Sequence, residues 1–307
     1  MNVTAAFLPI ILTMLCGYGL ALRGVIDKAG WTAIETLSFK LLIPVVLIRS
    51  IAQSDLAPVA FAGVISATVL TLGICAMAVF IFRALRGKGR LPDQDFTTLM
   101  QTTTRWNAFI ALAAAELLSG PETLILIAAA MAVLIPLINI FNIVVLARYG
   151  TVSLTPQAVV LQIAKNPLVQ GCAIGLVINL SGLDLPPVAS QTLDLIGRAA
   201  LGIGLLTVGA ALSIKRLLHI TPTIATGIAF RLILCPLIFL LLSKGFGLSP
   251  LETLAGLMVL AVPAASNGYI VAKQMGGNAD LYADILSWQT ILSMGILPLY
   301  ISVLPLI

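Results

Sequence analysis

The sequence has few charged residues, a single histidine and only four cysteines. Charged residues make up 9% of its 307 residues, whereas a soluble domain carries about 25%, so a soluble globular protein is excluded. The cysteines lie far apart inside apolar runs without a CxxC pair, which favours neither a disulfide framework nor a metal site. A GxSxG elbow and a P-loop spacing are also missing. We therefore predict that the protein is not an enzyme and holds no resident metal or cofactor.

Long apolar runs dominate the chain. Hydrophobic residues make up 60% of the sequence, and the mean hydropathy is +1.10. A helix of about 20 apolar residues spans a bilayer, and ten segments of roughly that length recur, at 5–22, 32–51, 59–82, 97–117, 122–147, 156–180, 187–213, 223–243, 251–275 and 280–304. The pattern predicts an all-α polytopic membrane protein with ten transmembrane helices.

The basic residues indicate an orientation in the membrane. Loops on the inner side carry an excess of lysine and arginine. With the N-terminus outside, the outer loops receive only Arg49 and Lys244. The inner loops and helix ends receive Arg23, Lys28, Arg83, Arg86, Lys88, Arg90, Arg148, Lys165, Lys215, Arg216 and Lys273. We predict that both termini are outside, and that the net charge of +5 reflects this topology and not nucleic-acid binding.

Ten helices with both ends on one side divide into two sets of five. A set with an odd number of helices must be inverted when it is repeated along the chain. We therefore predict one five-helix repeat over residues 1–150 and a second, inverted repeat over residues 151–307. In this scheme the fourth helix corresponds to the ninth.

The predicted ninth helix carries polar and helix-breaking residues in its middle, namely Pro263, Ser266, Asn267 and Gly268. Proline removes a backbone donor and breaks a helix. Unwound backbone at membrane depth occurs only where it is buried in protein or lines a cavity, so this interruption is a candidate binding site. The alternative is a kink that neighbouring helices satisfy, because proline and glycine are common in transmembrane helices.

The predicted fourth helix has an interruption of its own. In QTTTRWNAFIALAAAE, three threonines, Arg105 and Asn107 lie inside the apolar boundary. Interruptions at matching positions in two inverted halves point to a transporter substrate site near the bilayer midplane, so we predict that Asn107 faces Asn267. The predicted substrate-binding residues are Asn107, Asn267, Arg105, Thr104, Ser266 and Tyr269, although Tyr269 is equally consistent with packing and Thr104 with a bond back to its helix.

Arg105 is the deepest charge of this set. It lies roughly nine residues inside the predicted inner boundary, or about 13 Å at the α-helical rise. A charge at that depth costs about 3 kcal/mol or more unless it is paired or hydrated. A guanidinium group matches a carboxylate through two parallel hydrogen bonds, so one hypothesis makes Arg105 the counter-charge of an organic anion. In the alternative, Arg105 pairs with an acidic residue of the protein or extends toward the inner surface.

Three further charges lie inside predicted helices. Asp194 and Arg198 stand four residues apart on the seventh helix, a spacing that brings side chains together. A structural ion pair is the favoured interpretation, and a proton relay is the alternative. Arg231 has no acidic residue nearby in its helix, so it either pairs with a residue such as Asp194 or contacts the anion.

Six stretches in this order and spacing resemble the auxin efflux carrier family, over nearly the whole chain. They are FLPIILTMLCGYGLALRGVIDKAG, LLIPVVLIRSIA, RWNAFIALA, KNPLVQGCAIGLVINLSGLDLP, IGRAALGIGLLTVGAAL and VPAASNGYIVAKQMGG. Within the family, the chain is most similar to the bacterial organic-acid, malonate-carrier-like branch. The resemblance places the chain in a bacterial cytoplasmic (inner) membrane.

The resemblance implies a fold similar to bile-acid symporters and sodium–proton antiporters. Helices 1, 2, 6 and 7 would form a scaffold domain, and helices 3–5 and 8–10 a transport domain in which the broken fourth and ninth helices cross. It also implies an elevator-type motion, a homodimer and contacts from Asn107 and Asn267 to the substrate carboxylate, with Pro263 matching the family's proline. Plant-like members place a proline just before the first asparagine, whereas this chain has Arg105-Trp106, so we expect different site chemistry.

We therefore expect a secondary active or potential-driven transporter of small organic anions, malonate-like or auxin-like mono- or dicarboxylates. Its candidate coupling ion is H⁺ or Na⁺, and its other partner is the lipid bilayer. The alternatives are a cation exchanger or ion-conducting protein of the same fold and a solute sensor. Cation exchange is disfavoured because antiporters of this fold rely on membrane-buried aspartates, and neither interruption contains one.

Overall fold

The computed structural model describes residues 3–53, 58–119, 121–150, 155–183 and 185–303, and all regular elements in these ranges are helical. The α-helices are α1 (Val3–Leu22), α2 (Lys28–Leu37), α3 (Ile43–Ala52), α4 (Pro58–Arg86), α5 (Asp93–Thr104), α6 (Ala108–Leu118), α7 (Pro121–Tyr149), α8 (Pro156–Ala164), α9 (Pro167–Leu180), α10 (Pro187–Ala210), α11 (Pro222–Ala229), α12 (Cys235–Gly245), α13 (Pro250–Leu260), α14 (Asn267–Met275) and α15 (Ala279–Val303). A π-helical turn, Ser38–Leu42, joins α2 to α3, and a second, Phe230–Leu234, joins α11 to α12.

Six helical segments of the described chain are long and apolar enough to cross a membrane. They are Lys28–Ala52, Phe61–Arg86, Glu122–Tyr149, Pro187–Ala210, Pro222–Gly245 and Ala279–Val303. Three shorter apolar helices, Phe7–Leu22, Pro167–Leu180 and Pro250–Leu260, accompany them. The described part of the chain is all helical and agrees with the predicted multi-pass membrane protein, while the division into ten membrane helices and two inverted repeats stays a prediction.

The helix predicted over 156–180 is not continuous. It ends at Ala164, and α9 begins at Pro167 after a break at Lys165 and Asn166. The residue before a proline is disfavoured in the α region, and Asn166 is extended, with a side chain that accepts a hydrogen bond from the backbone N–H of Leu168 at 2.9 Å. The amide therefore caps a new helix. The helix predicted over 187–213 is also shorter, because α10 ends at Ala210.

The chain folds as two compact units, each assembled from three separate stretches of sequence. Unit 1 comprises Met1–Ala62, Phe109–Pro136 and Val160–Leu212. Unit 2 comprises Gly63–Ala108, Leu137–Val159 and Ser213–Ile307. The repeats predicted over 1–150 and 151–307, and the scaffold and transport domains implied by the resemblance, stay predictions.

Unit 1 depends on close helix packing at glycines. A Cβ added at Gly209 of α10 would lie 1.8 Å from the carbonyl oxygen of Met14 in α1. A Cβ at Gly171 of α9 would lie 2.9 Å from the Cα of Pro44 in α3. Small residues allow helix backbones in membranes to approach closely, so these glycines set the spacing of two helix pairs.

Unit 2 packs around apolar side chains of α5, α11 and α15 and the turn after α11, among them Phe96, Leu99, Leu232 and Ile285. At the start of α5, the guanidinium of Arg83 pairs with Asp93 and lies 4.4 Å from the ring centroid of Phe96. The same guanidinium lowers the pKa of the Asp93 carboxyl below its ordinary value. These contacts fix the helix that carries the first interruption.

Candidate functional site

The first interruption lies between α5 and α6. Helix α5 ends at Thr104, the next three residues are not helical, and α6 begins at Ala108. Arg105 has an extended backbone (φ −73°, ψ 152°), and Arg105, Trp106 and Asn107 are all buried. The break forms without a proline at this place. The preceding threonines contribute to it, because their β-branched side chains have lower helix propensity and their hydroxyls bond back to the helix carbonyls.

The second interruption lies between α13 and α14. Helix α13 ends at Leu260, and α14 begins at Asn267. Pro263 lies between them, and it both lacks a backbone N–H and disfavours the α conformation of Val262. Val262 and Pro263 are buried, so the unwound backbone lies inside the protein, where its polar groups require protein partners.

The two interruptions are in direct contact. The backbone N–H of Asn107 donates a hydrogen bond to the carbonyl oxygen of Pro263 at 2.8 Å. Gln289 of α15 connects the same two segments, because its Oε1 accepts from the N–H of Ala264 at 2.9 Å and its Nε2 donates to the carbonyl of Thr102 at 3.2 Å. Backbone N–H and C=O groups at the two breaks therefore find hydrogen-bond partners in the opposite break and in the buried amide of Gln289.

Arg231 is the second connection between the breaks. It lies on the π-helical turn Phe230–Leu234 and is 0% exposed. Its Nε donates to the carbonyl of Val262 at 2.8 Å, its Nη2 to Val259 at 2.6 Å, and its Nη1 to Thr103 at 3.2 Å. The guanidinium therefore binds the carboxyl-terminal carbonyls of both α5 and α13, where a helix leaves its last carbonyls unpaired.

Arg105 has a different environment, although it is also buried at 4% exposed. Its Nε donates to Oε1 of Gln101 at 3.1 Å, and its Nη1 donates to Oδ1 of Asn139 at 2.9 Å. Its Nη2 is buried and has no hydrogen-bond partner among the described residues, and the same holds for Nε2 of Gln101. The ion pairs of the described chain do not include Arg105. A full positive charge and a neighbouring amide donor thus have unused hydrogen-bonding capacity.

Thr104 and Asn142 form a hydrogen-bonded pair beside this cluster. Nδ2 of Asn142 donates to the hydroxyl of Thr104 at 2.9 Å, and that hydroxyl donates to the carbonyl of Met100 at 2.8 Å. The hydroxyl of Thr104 is therefore engaged within the protein.

The substrate-binding residues predicted around the second break differ in their hydrogen bonding and packing. Asn267 is the first residue of α14, and its Oδ1 is buried without a hydrogen-bond partner in the described part of the chain. Ser266 precedes it and makes no side-chain cap. Tyr269 packs against a buried cluster that includes Tyr282, in line with the packing alternative. At Gly268 an added Cβ would lie 2.0 Å from the hydroxyl oxygen of Tyr282.

The hydroxyl of Tyr282 also holds the second break in place. It donates to the carbonyl of Ala265 at 2.7 Å, so α15 contacts the unwound segment through Tyr282 as well as through Gln289. Gly268 leaves the space that this tyrosine occupies.

The family of the chain follows from a comparison with known proteins. A sequence profile described as "Membrane transport protein" matches residues 2–142 and 151–301, nearly the whole length. The chain belongs to the auxin efflux carrier family of membrane transport proteins. A search of curated proteins finds no match.

In this family member, three charged residues of unit 1 form an ion-pair group of their own. Asp194 pairs with Arg49 at 2.8 Å and with Arg198, which is one turn further along α10. This arrangement favours the structural interpretation of Asp194 and Arg198 over a proton relay. The pairing of Arg231 with Asp194 is not found, because Arg231 binds backbone carbonyls and Asp194 binds two other arginines.

Three amide side chains of this carrier-family site are missed or undervalued by sequence reasoning. Gln101, Asn139 and Gln289 are not among the substrate-binding residues predicted from the sequence, and no motif singles out Gln101. All three are buried. The available signal is an amide inside an apolar membrane segment, where such groups bond across helices.

Proposed function

We propose that this membrane transport protein carries small organic anions, mono- or dicarboxylates, across the membrane by alternating access. One observation carries the proposal. Arg105 is a buried guanidinium without an acidic partner among the described residues, its Nη2 is unused, and it belongs to the same break as Asn107, which contacts Pro263.

The electrostatics favour an anionic ligand. A buried guanidinium that faces only neutral oxygens has lost hydration without gaining a counter-charge. The carboxylate of a substrate would accept a charge-assisted hydrogen bond from Nη2 of Arg105, a class of bond that contributes about 1.5–3 kcal/mol. Nε2 of Gln101 is a second unused donor on the residue that already holds Arg105.

The half-helices after the breaks add to this preference. Helix α6 begins directly after Asn107, and α14 begins at Asn267. A helix N-terminus presents unpaired N–H groups and a partial positive charge of about +0.5. Transporters of broken-helix type direct such ends at the acidic groups of their substrates, which supports Asn107 and Asn267 as contacts to the carboxylate.

The larger architecture is part of the same proposal. We expect ten membrane helices in two inverted repeats, an elevator-type motion, a homodimer and both termini on the outer side of a bacterial inner membrane. Two interrupted helices that contact each other support the repeat, because inverted repeats generate paired breaks. The malonate-like or auxin-like nature of the substrate rests on the resemblance.

The chemistry of the site favours an anion carrier over a cation exchanger. In unit 2, the acidic residues whose contacts the structure describes, such as Asp93, Asp280, Asp284 and Glu252, lie at helix ends. They pair there with Arg83, Arg216 or Ser249.

Movement of the anion requires no coupling ion where the membrane potential drives export, because each elementary charge gains about 2.3 kcal/mol per 100 mV. Coupling to H⁺ or Na⁺ remains the alternative.

The test replaces Arg105 with glutamine, which keeps hydrogen-bonding capacity and removes the charge. We expect Arg105→Gln to lose uptake and counterflow of labelled carboxylates in proteoliposomes by at least tenfold. Arg198→Gln, an exposed arginine of α10, is the matched control and should transport normally. Unchanged affinity in Arg105→Gln would exclude the counter-charge role. Binding without uptake in the unmodified protein would identify a sensor.

A further inference from the structure

Arg231 interacts with three backbone carbonyls and with no acidic residue of the described chain. These carbonyls belong to Thr103 near the end of α5, to Val259 in the last turn of α13 and to Val262 in the unwound segment that follows it. All three donor–acceptor distances lie between 2.6 and 3.2 Å. The side chain is fully buried. Besides the three carbonyls it meets the thiol of Cys235 on its own helix, so its charge is directed mainly at backbone oxygens.

The charges at this place balance. The carboxyl-terminal end of a helix carries a partial charge of about −0.5. Two such ends, those of α5 and α13, sum to about one negative charge, and one guanidinium supplies one positive charge. Half-helix ends and unwound carbonyls are the groups with which broken-helix transporters bind a cation. In this chain the cation is part of the polypeptide.

We propose that Arg231 is the resident cation of the contact between the two interruptions. Its guanidinium occupies an oxygen cage formed by Thr103, Val259 and Val262, and it holds the two helix ends in register. Arg231 is thus a positioning residue and not a substrate contact. Removal of its side chain leaves a cage for a small monovalent cation from solution, such as guanidinium or an alkali ion.

A variant without Arg231 retains other connections between the breaks. Gln289 still links Thr102 to Ala264, and the N–H of Asn107 still donates to Pro263. These bonds keep the helix ends close to their places, so that the cage persists after the guanidinium is gone.

The test measures thermal unfolding of the purified full chain with Arg231→Ala. We expect guanidinium, at concentrations far below denaturing ones, or Na⁺ or K⁺ to raise the melting temperature of this variant saturably. The rise should be on the order of 3 °C at ten times the dissociation constant. Choline at the same ionic strength, the unmodified protein and Arg198→Ala should show no such rise. No response of Arg231→Ala to any of the three cations would overturn the proposal.

A second pair of variants decides the matter if Arg231→Ala does not fold. Arg231→Lys keeps a cation in the cage, and Arg231→Met keeps the stem without the charge. We expect the lysine variant to melt at a higher temperature than the methionine variant. A methionine variant equal to or more stable than the lysine variant, or two variants that both fail to fold, would show that the charge is not what holds the helix ends.

The functional consequence rests on the proposed carrier function. Carboxylate uptake by Arg231→Ala should become dependent on an added monovalent cation, mainly through the maximal rate, whereas uptake by the unmodified protein should not. Because the unfolding measurement contains no carboxylate, it judges the role of Arg231 even where the substrate has been assigned wrongly.

Discussion

Gln289 offers the most direct energetic test of the contact between the two interruptions. Its single amide group accepts from the N–H of Ala264 at 2.9 Å and donates to the carbonyls of Gly227 at 2.9 Å and Thr102 at 3.2 Å. Gln289→Met keeps the length and the apolar stem of the side chain and removes all three bonds. The perturbation is therefore confined to polar contacts.

The magnitude follows from the groups left behind. The N–H of Ala264 would be buried without its acceptor, which costs about 1–3 kcal/mol. Each of the two carbonyls would lose a hydrogen bond worth about 0.5–1.5 kcal/mol. The sum is about 2–6 kcal/mol, and at about 2 °C per kcal/mol for a chain of this size the melting temperature should fall by roughly 4–12 °C.

The assay is thermal unfolding in detergent, followed by intrinsic tryptophan fluorescence. The control is Gln53→Met, which removes an exposed hydrogen bond to the hydroxyl of Ser190 in unit 1 and should change stability by less than about 0.5 kcal/mol. If the melting temperature of Gln289→Met lies within about 2 °C of that of the control, the inference that this amide connects the breaks is refuted.

Three further predictions concern the same unit. Gly268→Ala should destabilise the protein by about 1–3 kcal/mol, because its Cβ would lie 2.0 Å from the hydroxyl of Tyr282. The control is Gly295→Ala in α15, where an added Cβ meets nothing within 4 Å. This variant should stabilise the protein by up to about 1 kcal/mol. Thermal unfolding measures both variants, and equal changes in melting temperature would contradict the close packing of Gly268 against Tyr282. Tyr282→Phe removes the bond to the carbonyl of Ala265 and should cost about 1 kcal/mol; an unchanged melting temperature would contradict this. The Asp93 carboxyl, whose pKa is lowered beside Arg83, should contribute stability above its unfolded pKa of about 3.9 and lose that contribution as pH falls through the folded pKa. Asp93→Asn should flatten the loss of stability between neutral and acidic pH, and an unaltered pH profile would refute the ion pair's role.

The second break can be predicted from the sequence, because proline acts locally. Pro263 lacks a donor wherever it stands inside a helix, and the structure has no helix between Leu260 and Asn267. The break at Arg105–Asn107 is predictable from polar residues at membrane depth and from the resemblance. The break before Pro167 has an equally local signal, which is the proline itself. The apolar residues on both sides of it nevertheless predict one continuous helix over 156–180.

The partners of the buried charges cannot be predicted in this way. Arg231 donates to carbonyls that lie 28, 31 and 128 residues away in the chain, and backbone carbonyls have no signature in a sequence. A search for acidic partners therefore suggests Asp194 for Arg231, although Asp194 binds Arg49 and Arg198. Charge pairing is only one way to stabilise a buried cation, and helix ends are another.

The central claim is that Arg105, beside the contact between the interruptions, receives the carboxylate of the substrate. Calorimetric titration of the purified protein with a panel of small mono- and dicarboxylates tests this claim most directly, with Arg105→Gln measured in parallel. We predict saturable binding of at least one carboxylate to the unmodified protein, and at least tenfold weaker binding to the variant. Equal affinity of both proteins for the same carboxylate would contradict the account.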